Sequence, residues 1–89
     1  MTVEAKIFAT LRLKLGVGKV TVEADGPLSV RDMLSRISAE VGHDIAPELV
    51  HEDETIIPGT MILVNGKNIH HLDGLDTQVD GGEVSIFPP

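Results

Sequence analysis

One stretch of the chain has the periodicity of a long amphipathic helix, and this limits the folds that the other residues can adopt. Its apolar residues recur at offsets of three, four, seven and eleven from the first, which places them on one helix face. They are Val30, Met33, Leu34, Ile37 and Val41. Ser29 and Asp32 have capping-box spacing, and Gly42 suits a left-handed C-terminal cap. One helix cannot bury its apolar face alone, so we expect residues 29–41 to lie on a sheet.

Several short segments have the residue pattern of β-strands. The predicted strands are residues 3–9, 19–24, 61–64 and 83–87, with a short return strand at residues 68–70 after an Asn-Gly turn. Glycines interrupt residues 10–18, which we expect to form a loop. This order of elements predicts an α+β fold, the ubiquitin-like β-grasp. It is a single domain spanning residues 1–89, in which one main helix packs on a mixed four- or five-stranded sheet. The sheet residues expected beneath the helix are Val3, Ala5, Ile7, Val20, Val22, Val84 and Ile86.

Composition excludes several classes of protein. The 89 residues include 14 acidic and 7 basic side chains, a net charge of −7, and no cysteine, which excludes disulfides, thiolate metal sites and a cysteine nucleophile. The longest aliphatic run, residues 61–64, is far shorter than the roughly 20 residues of a membrane helix. Glu4 and Lys6 stand where a signal peptide would be apolar. We therefore expect a cytoplasmic protein without membrane contact. The acidic charge disfavours nucleic acid and favours a basic protein partner.

No group of residues predicts a catalytic or metal site. Residues 16–19 lack the upstream glycine and the Ser or Thr after lysine that a phosphate-binding loop requires. No two of the four histidines have helical i, i+4 spacing, and His70 and His71 would point to opposite faces of a strand. Gly81 and Gly82 precede a whole predicted strand, so we expect turn glycines and not a cleavable diglycine. The sequence predicts a protein that is not an enzyme, with no cofactor and no metal.

The two aromatic residues of the chain, Phe8 and Phe87, fall on the sheet face away from the helix, according to strand parity. Leu63 joins them if its neighbours point toward the helix. Two interpretations remain open. The face is a partner-binding surface, or residues 11–15 fold over it and bury both rings.

Four segments, in the same order along nearly the whole chain, resemble motifs of the MoaD/ThiS family of ubiquitin-like sulfur carriers. They are residues 7–12 (IFATLR), 29–34 (SVRDML), 63–66 (LVNG) and 80–89 (DGGEVSIFPP). The last segment is similar to the ending of the MoaD branch, the small subunit of molybdopterin synthase.

The resemblance implies a carrier whose C-terminal glycine is adenylated by a MoeB/ThiF-type adenylyltransferase and converted to a thiocarboxylate. In the MoaD branch the carrier joins a MoaE-type large subunit and gives its sulfur to a pterin precursor, in molybdenum or tungsten cofactor synthesis. The family's contact surface matches Phe8 and Phe87, and we add Leu63 and Ile69 to the expected partner-binding surface. Pro88 and Pro89 correspond to the start of the C-terminal tail, whose Gly-Gly ending is missing from the printed residues.

Two alternatives stay open. The chain is a carrier of the same family that serves thiamin synthesis, tRNA thiolation or protein tagging. Otherwise it is a β-grasp interaction module without a tail, which docks through the Phe8/Phe87 face and carries no sulfur.

Overall fold

A computed structural model describes residues 1–89 as a five-stranded sheet with one long helix on one face and a separate two-stranded ribbon. The strands are β1 (Thr2–Ile7), β2 (Lys19–Glu23), β3 (Leu28–Ser29), β4 (Met61–Val64), β5 (Lys67–Asn68), β6 (Gln78–Val79) and β7 (Gly82–Phe87). The helices are α1 (Ala9–Leu15), α2 (Val30–Val41) and α3 (Ala46–Leu49), and Ile69–His71 and Gly74–Asp76 form 3₁₀ turns. None of the helices is both long enough and apolar enough to cross a membrane.

The main sheet has the strand order β2-β1-β7-β4-β5, and β3 pairs with β6 in the ribbon. The central strands β1 and β7 are parallel, whereas the other neighbours in the main sheet are antiparallel. This mixed sheet with one covering helix confirms the predicted β-grasp fold.

The predicted helix and its caps are confirmed within one residue. The Ser29 hydroxyl accepts a hydrogen bond from the Asp32 N–H at 3.1 Å, and Gly42 ends α2 with a left-handed φ of 71°. Four of the five residues in the apolar stripe of α2 are buried, and Val41 is partly buried. They pack on the inner sheet face, whose buried residues are Val3, Ala5, Ile7, Val22, Ile62, Val64, Val84 and Ile86. Val20 is only partly buried, whereas Val22 on the same edge strand β2 is buried.

The predicted loop at residues 10–18 is wrong, because most of it forms α1. Leu11 and Leu15 are spaced i, i+4, and this face packs on the core, with Leu11 only 2% exposed. Leu13 lies on the opposite face and is 82% exposed. A helix of seven residues has little stability of its own, so the burial of Leu11 stabilises it.

The predicted return strand at residues 68–70 is also wrong beyond its first residue. The Asn65-Gly66 turn has positive φ at both residues, as the hairpin prediction required, but β5 ends at Asn68. The Asn68 side chain accepts a hydrogen bond from the His70 N–H at 2.9 Å, which starts a 3₁₀ turn. This turn directs Ile69 into the core, where it is fully buried.

Candidate partner-binding face and chain end

The sheet face away from α2 carries a small apolar surface, the aromatic platform, formed by Phe8, Met61, Leu63 and Phe87. Ile7 pairs with Ile86 in the parallel register, so the residues that follow them lie side by side. The Phe8 and Phe87 rings are stacked, with centroids 4.3 Å apart and planes within 3°. Met61 lies opposite Phe87 in the antiparallel pair and extends the platform across three strands.

Both phenylalanine rings remain partly exposed, so the interpretation that residues 11–15 bury them is wrong. Leu63 points outward as predicted and is partly exposed. Ile69 does not belong to this surface, because its side chain is buried in the core. Sequence reasoning missed Met61, which is 36% exposed. Met61 lies two residues before Leu63 in β4, so strand alternation places both side chains on the same face.

Basic residues outnumber acidic ones in the N-terminal segment beside the platform, whereas the whole chain is acidic. Glu4 is the only acidic residue among the first 20, and four of the seven basic residues lie there: Lys6, Arg12, Lys14 and Lys19. Lys6 pairs with Glu83 at 2.9 Å, and this hydrogen bond raises the pKa of Lys6. Arg12 makes no ion pair and lies across Gly18, where an added Cβ would be 2.8 Å from its Nε.

Lys6, Arg12 and Lys19 line a shallow depression of about 390 Å³ together with Phe8 and Gly18. Lys6 and Lys19 are paired with Glu83 and Glu4, so Arg12 is the one cation of this depression without an acidic partner.

The chain leaves the sheet beside this platform, because Phe87 is followed by Pro88 and Pro89. The two prolines line a groove of about 290 Å³, which we call the exit groove. Its other lining residues are Thr10, Leu11 and Lys14 of α1 and Glu48 of α3. Lys14 Nζ lies 2.5 Å from Glu48 Oε1, so an ion pair joins the two helices.

Glu48 is the most enclosed charged group near the chain end. Its Oε2 lies 3.4 Å from His43 Nε2 and accepts no hydrogen bond. The hydrogen bond from Lys14 holds the pKa of Glu48 below its ordinary value, against the opposing effect of burial.

The structure contains no group of three or more His, Asp or Glu side chains that could hold a metal ion. His70 and His71 stack edge to face at 5.9 Å and are exposed. The aromatic platform and the exit groove adjoin each other, because Phe87 of the platform is followed directly by Pro88 and Pro89 of the groove.

Comparison with known proteins gives consistent results over nearly the whole chain. A model described as the ThiS family matches residues 5–89. The chain is 37% identical over 90 residues to small archaeal modifier protein 3 of Haloferax volcanii, covering 100% of this chain and 96% of the relative. It is 32% identical over 80 residues to a proposed sulfur carrier protein of Archaeoglobus fulgidus, covering 88% and 90%.

Solved structures show the same fold. Small archaeal modifier protein 1 of Haloferax volcanii is 26% identical, with a TM-score of 0.80 and coverage of 100% of this chain and 96% of that one. CysO in the Amycolatopsis orientalis BexX/CysO complex is 28% identical, with a TM-score of 0.76 and coverage of 97% and 93%. A proposed molybdopterin converting factor subunit 1 of Pyrococcus furiosus is 29% identical, with a TM-score of 0.69 and coverage of 100% and 98%.

Proposed function

The chain belongs to the ThiS family of ubiquitin-like sulfur carriers and modifiers, and on this premise we propose that it carries sulfur as a C-terminal thiocarboxylate. In this proposal the domain docks on its partners through the aromatic platform, and a glycine-ended tail after Pro89 enters the partner's active site. The protein acts in the cytoplasm, where a partner adenylates the tail with ATP.

The observation that carries the proposal is the position of the stacked Phe8/Phe87 pair beside the chain end. Because Pro88 directly follows Phe87, a partner that binds the platform receives the tail at a fixed place. Pro88 and Pro89 have no N–H groups, so this segment cannot continue the hydrogen bonding of β7 and instead projects from the sheet.

The proposed chemistry divides between the partners. A MoeB/ThiF-type adenylyltransferase joins the terminal carboxylate to AMP and releases pyrophosphate, and a sulfur donor then displaces AMP to leave the thiocarboxylate. The carrier supplies the acyl group and the docking surface, whereas the partner supplies the catalytic groups.

The test compares two forms of the protein with a MoeB/ThiF-type adenylyltransferase from the same organism. One form ends at Pro89, and the other continues through Gly-Gly. We expect pyrophosphate release and a thiocarboxylate mass only from the Gly-Gly form, because glycine alone has no side chain to obstruct a narrow active-site channel. Adenylation of the form ending at Pro89 would contradict the tail mechanism. Failure of the Gly-Gly form would favour the interaction module that carries no sulfur.

For the acceptor of the sulfur we propose the pterin precursor of the molybdenum or tungsten cofactor, with a MoaE-type large subunit as the second partner. Two similarities support this branch: residues 80–89 resemble the ending of the MoaD branch, and the chain is similar to the Pyrococcus protein. The expected result is conversion of the precursor when the thiocarboxylated form is mixed with a MoaE-type subunit.

A second candidate is protein modification, which the 37% identity to a small archaeal modifier protein favours. In that case the activated tail would form isopeptide bonds with lysine side chains of other proteins. Mass spectrometry of lysine residues in cells that express the tagged Gly-Gly form separates the two candidates, because only modification leaves the tail attached to a target.

A further inference from the structure

We propose that the exit groove sets the direction in which the chain leaves the domain, which makes Glu48 and Gly59 positioning residues for the C-terminal tail. This inference rests on the proposed function, in which the tail must reach a partner's active site. It assigns a role to residues on the side of the chain end away from the aromatic platform.

One wall of the exit groove is held by an ion pair between two short helices. Leu11 of α1 is 2% exposed and Leu49 of α3 is fully buried, so each helix is anchored in the core. Lys14 and Glu48, neighbours of these anchors on the two helices, are joined at 2.5 Å. The pair therefore bridges the two helices where Pro88 and Pro89 line the groove.

Two side chains lie beside the Glu48 carboxylate in this wall. Lys14 contacts Oε1, and His43, which follows the C-terminal cap of α2, lies 3.4 Å from Oε2. Neutralising Glu48 would remove the charge that pairs with Lys14 and weaken the contact between α1 and α3, whereas the anchoring leucines would keep both helices folded.

The turn that contains Gly59 approaches the chain end from outside the exit groove. A Cβ added at Gly59 would lie 3.3 Å from Pro89 Cβ and 3.4 Å from Pro89 Cα, closer than most contacts of this kind. Gly59 also has a φ of +92°, which side chains disfavour. The turn therefore approaches the chain end closely only because residue 59 is glycine.

The two prolines restrict the direction in which the residues after them extend from the groove. A proline segment is extended, advances about 3.1 Å per residue and keeps its direction over several residues. A rotation at Pro89 therefore displaces the tip of a glycine tail, and a misplacement of about 1 Å in an active site can cost about a hundredfold in rate. Docking on the aromatic platform would be unaffected.

The kinetic experiment uses the Gly-Gly form with its MoeB/ThiF-type adenylyltransferase. Glu48→Gln should lower kcat for pyrophosphate release by about tenfold or more while KM stays unchanged, since the tail is misplaced and the docking face is intact. Glu40→Gln, at an exposed position on α2, should change neither value. The charge swap Lys14→Glu with Glu48→Lys should restore kcat, because it restores the ion pair with reversed polarity.

Gly59→Ala tests the contact between this turn and Pro89 and should also lower kcat at constant KM. Its matched control is Gly66→Ala, because Gly66 has a similar φ of +84° but an added Cβ there meets nothing within 4 Å. A kcat equal to that of the unchanged protein in both Glu48→Gln and Gly59→Ala overturns the inference, as does a defect confined to KM.

An NMR measurement decides the inference independently of adenylation. Protons of Pro89 and Gly59 should show a nuclear Overhauser effect in the unchanged protein, which should disappear in Glu48→Gln and return in the charge swap. Persistence of this signal in Glu48→Gln overturns the inference. If the unchanged Gly-Gly form is not adenylated, the proposed function fails, and the NMR result alone decides whether the groove directs the chain.

Discussion

At the scale of single residues, neighbours in sequence have opposite roles because β-strands alternate between two faces. Ile7 and Ile86 are fully buried beneath α2, whereas Phe8 and Phe87, one position further along, form the exposed stack. The inner pair serves stability and the outer pair is available to a partner.

We predict that Phe8→Ala and Phe87→Ala each weaken binding to the adenylyltransferase by about 1–4 kcal/mol, the range of interface anchors. Calorimetric titration with the Gly-Gly form measures this loss. Thr21→Ala, at an exposed outer-face position on β2, is the control and should bind normally.

The same phenylalanine variants should lose less stability than Ile7→Ala or Ile86→Ala, which open cavities in the core at a cost of about 2–5 kcal/mol. Urea unfolding compares the four variants. If the phenylalanine variants lose stability but bind the adenylyltransferase normally, the aromatic platform has a structural role only.

Glu48 gives the protein a predicted dependence of stability on pH. Because Lys14 depresses the pKa of folded Glu48 below its ordinary value of 4.5, the stabilisation is fully present above that value. It is lost as the pH falls through the lower folded pKa. The Tm difference between the unchanged protein and Glu48→Gln should therefore be positive near neutrality and vanish in acid. A difference that stays constant with pH would show that the Glu48 charge contributes nothing.

At the scale of elements, α2 is stabilised by the match between its apolar stripe and the inner sheet face. Ile37 lies in the middle of that stripe and is fully buried. The cap at Ser29 and the left-handed Gly42 set where the helix begins and ends, but burial supplies most of its stability.

We predict that Ile37→Asp lowers the free energy of unfolding by about 4 kcal/mol, since it removes a core side chain and buries an unpaired carboxylate. Ala39→Asp, at an exposed position on the same helix, should cost less than about 1 kcal/mol, the scale of helix propensity. Urea unfolding measures both. Similar losses in the two variants would refute the packing of α2 on the sheet.

At the scale of the whole molecule, the C-terminal strand β7 lies in the centre of the sheet, beside the N-terminal strand β1. It pairs with β1 in parallel and with β4 in antiparallel orientation, and Val84, Ser85 and Ile86 are all buried. Gly82, the second residue of the Gly81-Gly82 pair that resembles a modifier's diglycine, is the first residue of this central strand. Gly82 has a φ of +84°, and an added Cβ there would lie 2.1 Å from Asn65 Oδ1.

A chain ending at Gly82 should therefore not fold, because it lacks the strand that joins β1 to β4. A chain ending at Phe87 should unfold cooperatively, like the 89-residue chain, since it keeps all of β7. Circular dichroism during thermal unfolding distinguishes them. A cooperative transition in the chain ending at Gly82 would show that β7 is dispensable and that the diglycine could be cleaved.

Much of this architecture follows from local patterns. The spacing of Val30 to Val41 predicted α2, the alternation around Ile7 and Ile86 predicted which faces are buried, and Asn65-Gly66 predicted its turn. Each of these signals repeats over several residues or depends on a backbone conformation that few residue types adopt. The same parity placed Phe8 and Phe87 on one outer face before any contact was known.

Other features depended on tertiary contacts. The seven residues of α1 lacked a long pattern, and the burial of Leu11 decided their conformation. Ile69 was expected on the partner-binding surface, but a side-chain hydrogen bond of Asn68 ends the strand and turns Ile69 inward. The pairing of Lys14 with Glu48 joins residues 34 positions apart, a distance along the chain that no local periodicity spans. Sequence alone determined the fold and the outer aromatic pair because repeated local patterns encode them, whereas the exit groove depended on packing between distant segments.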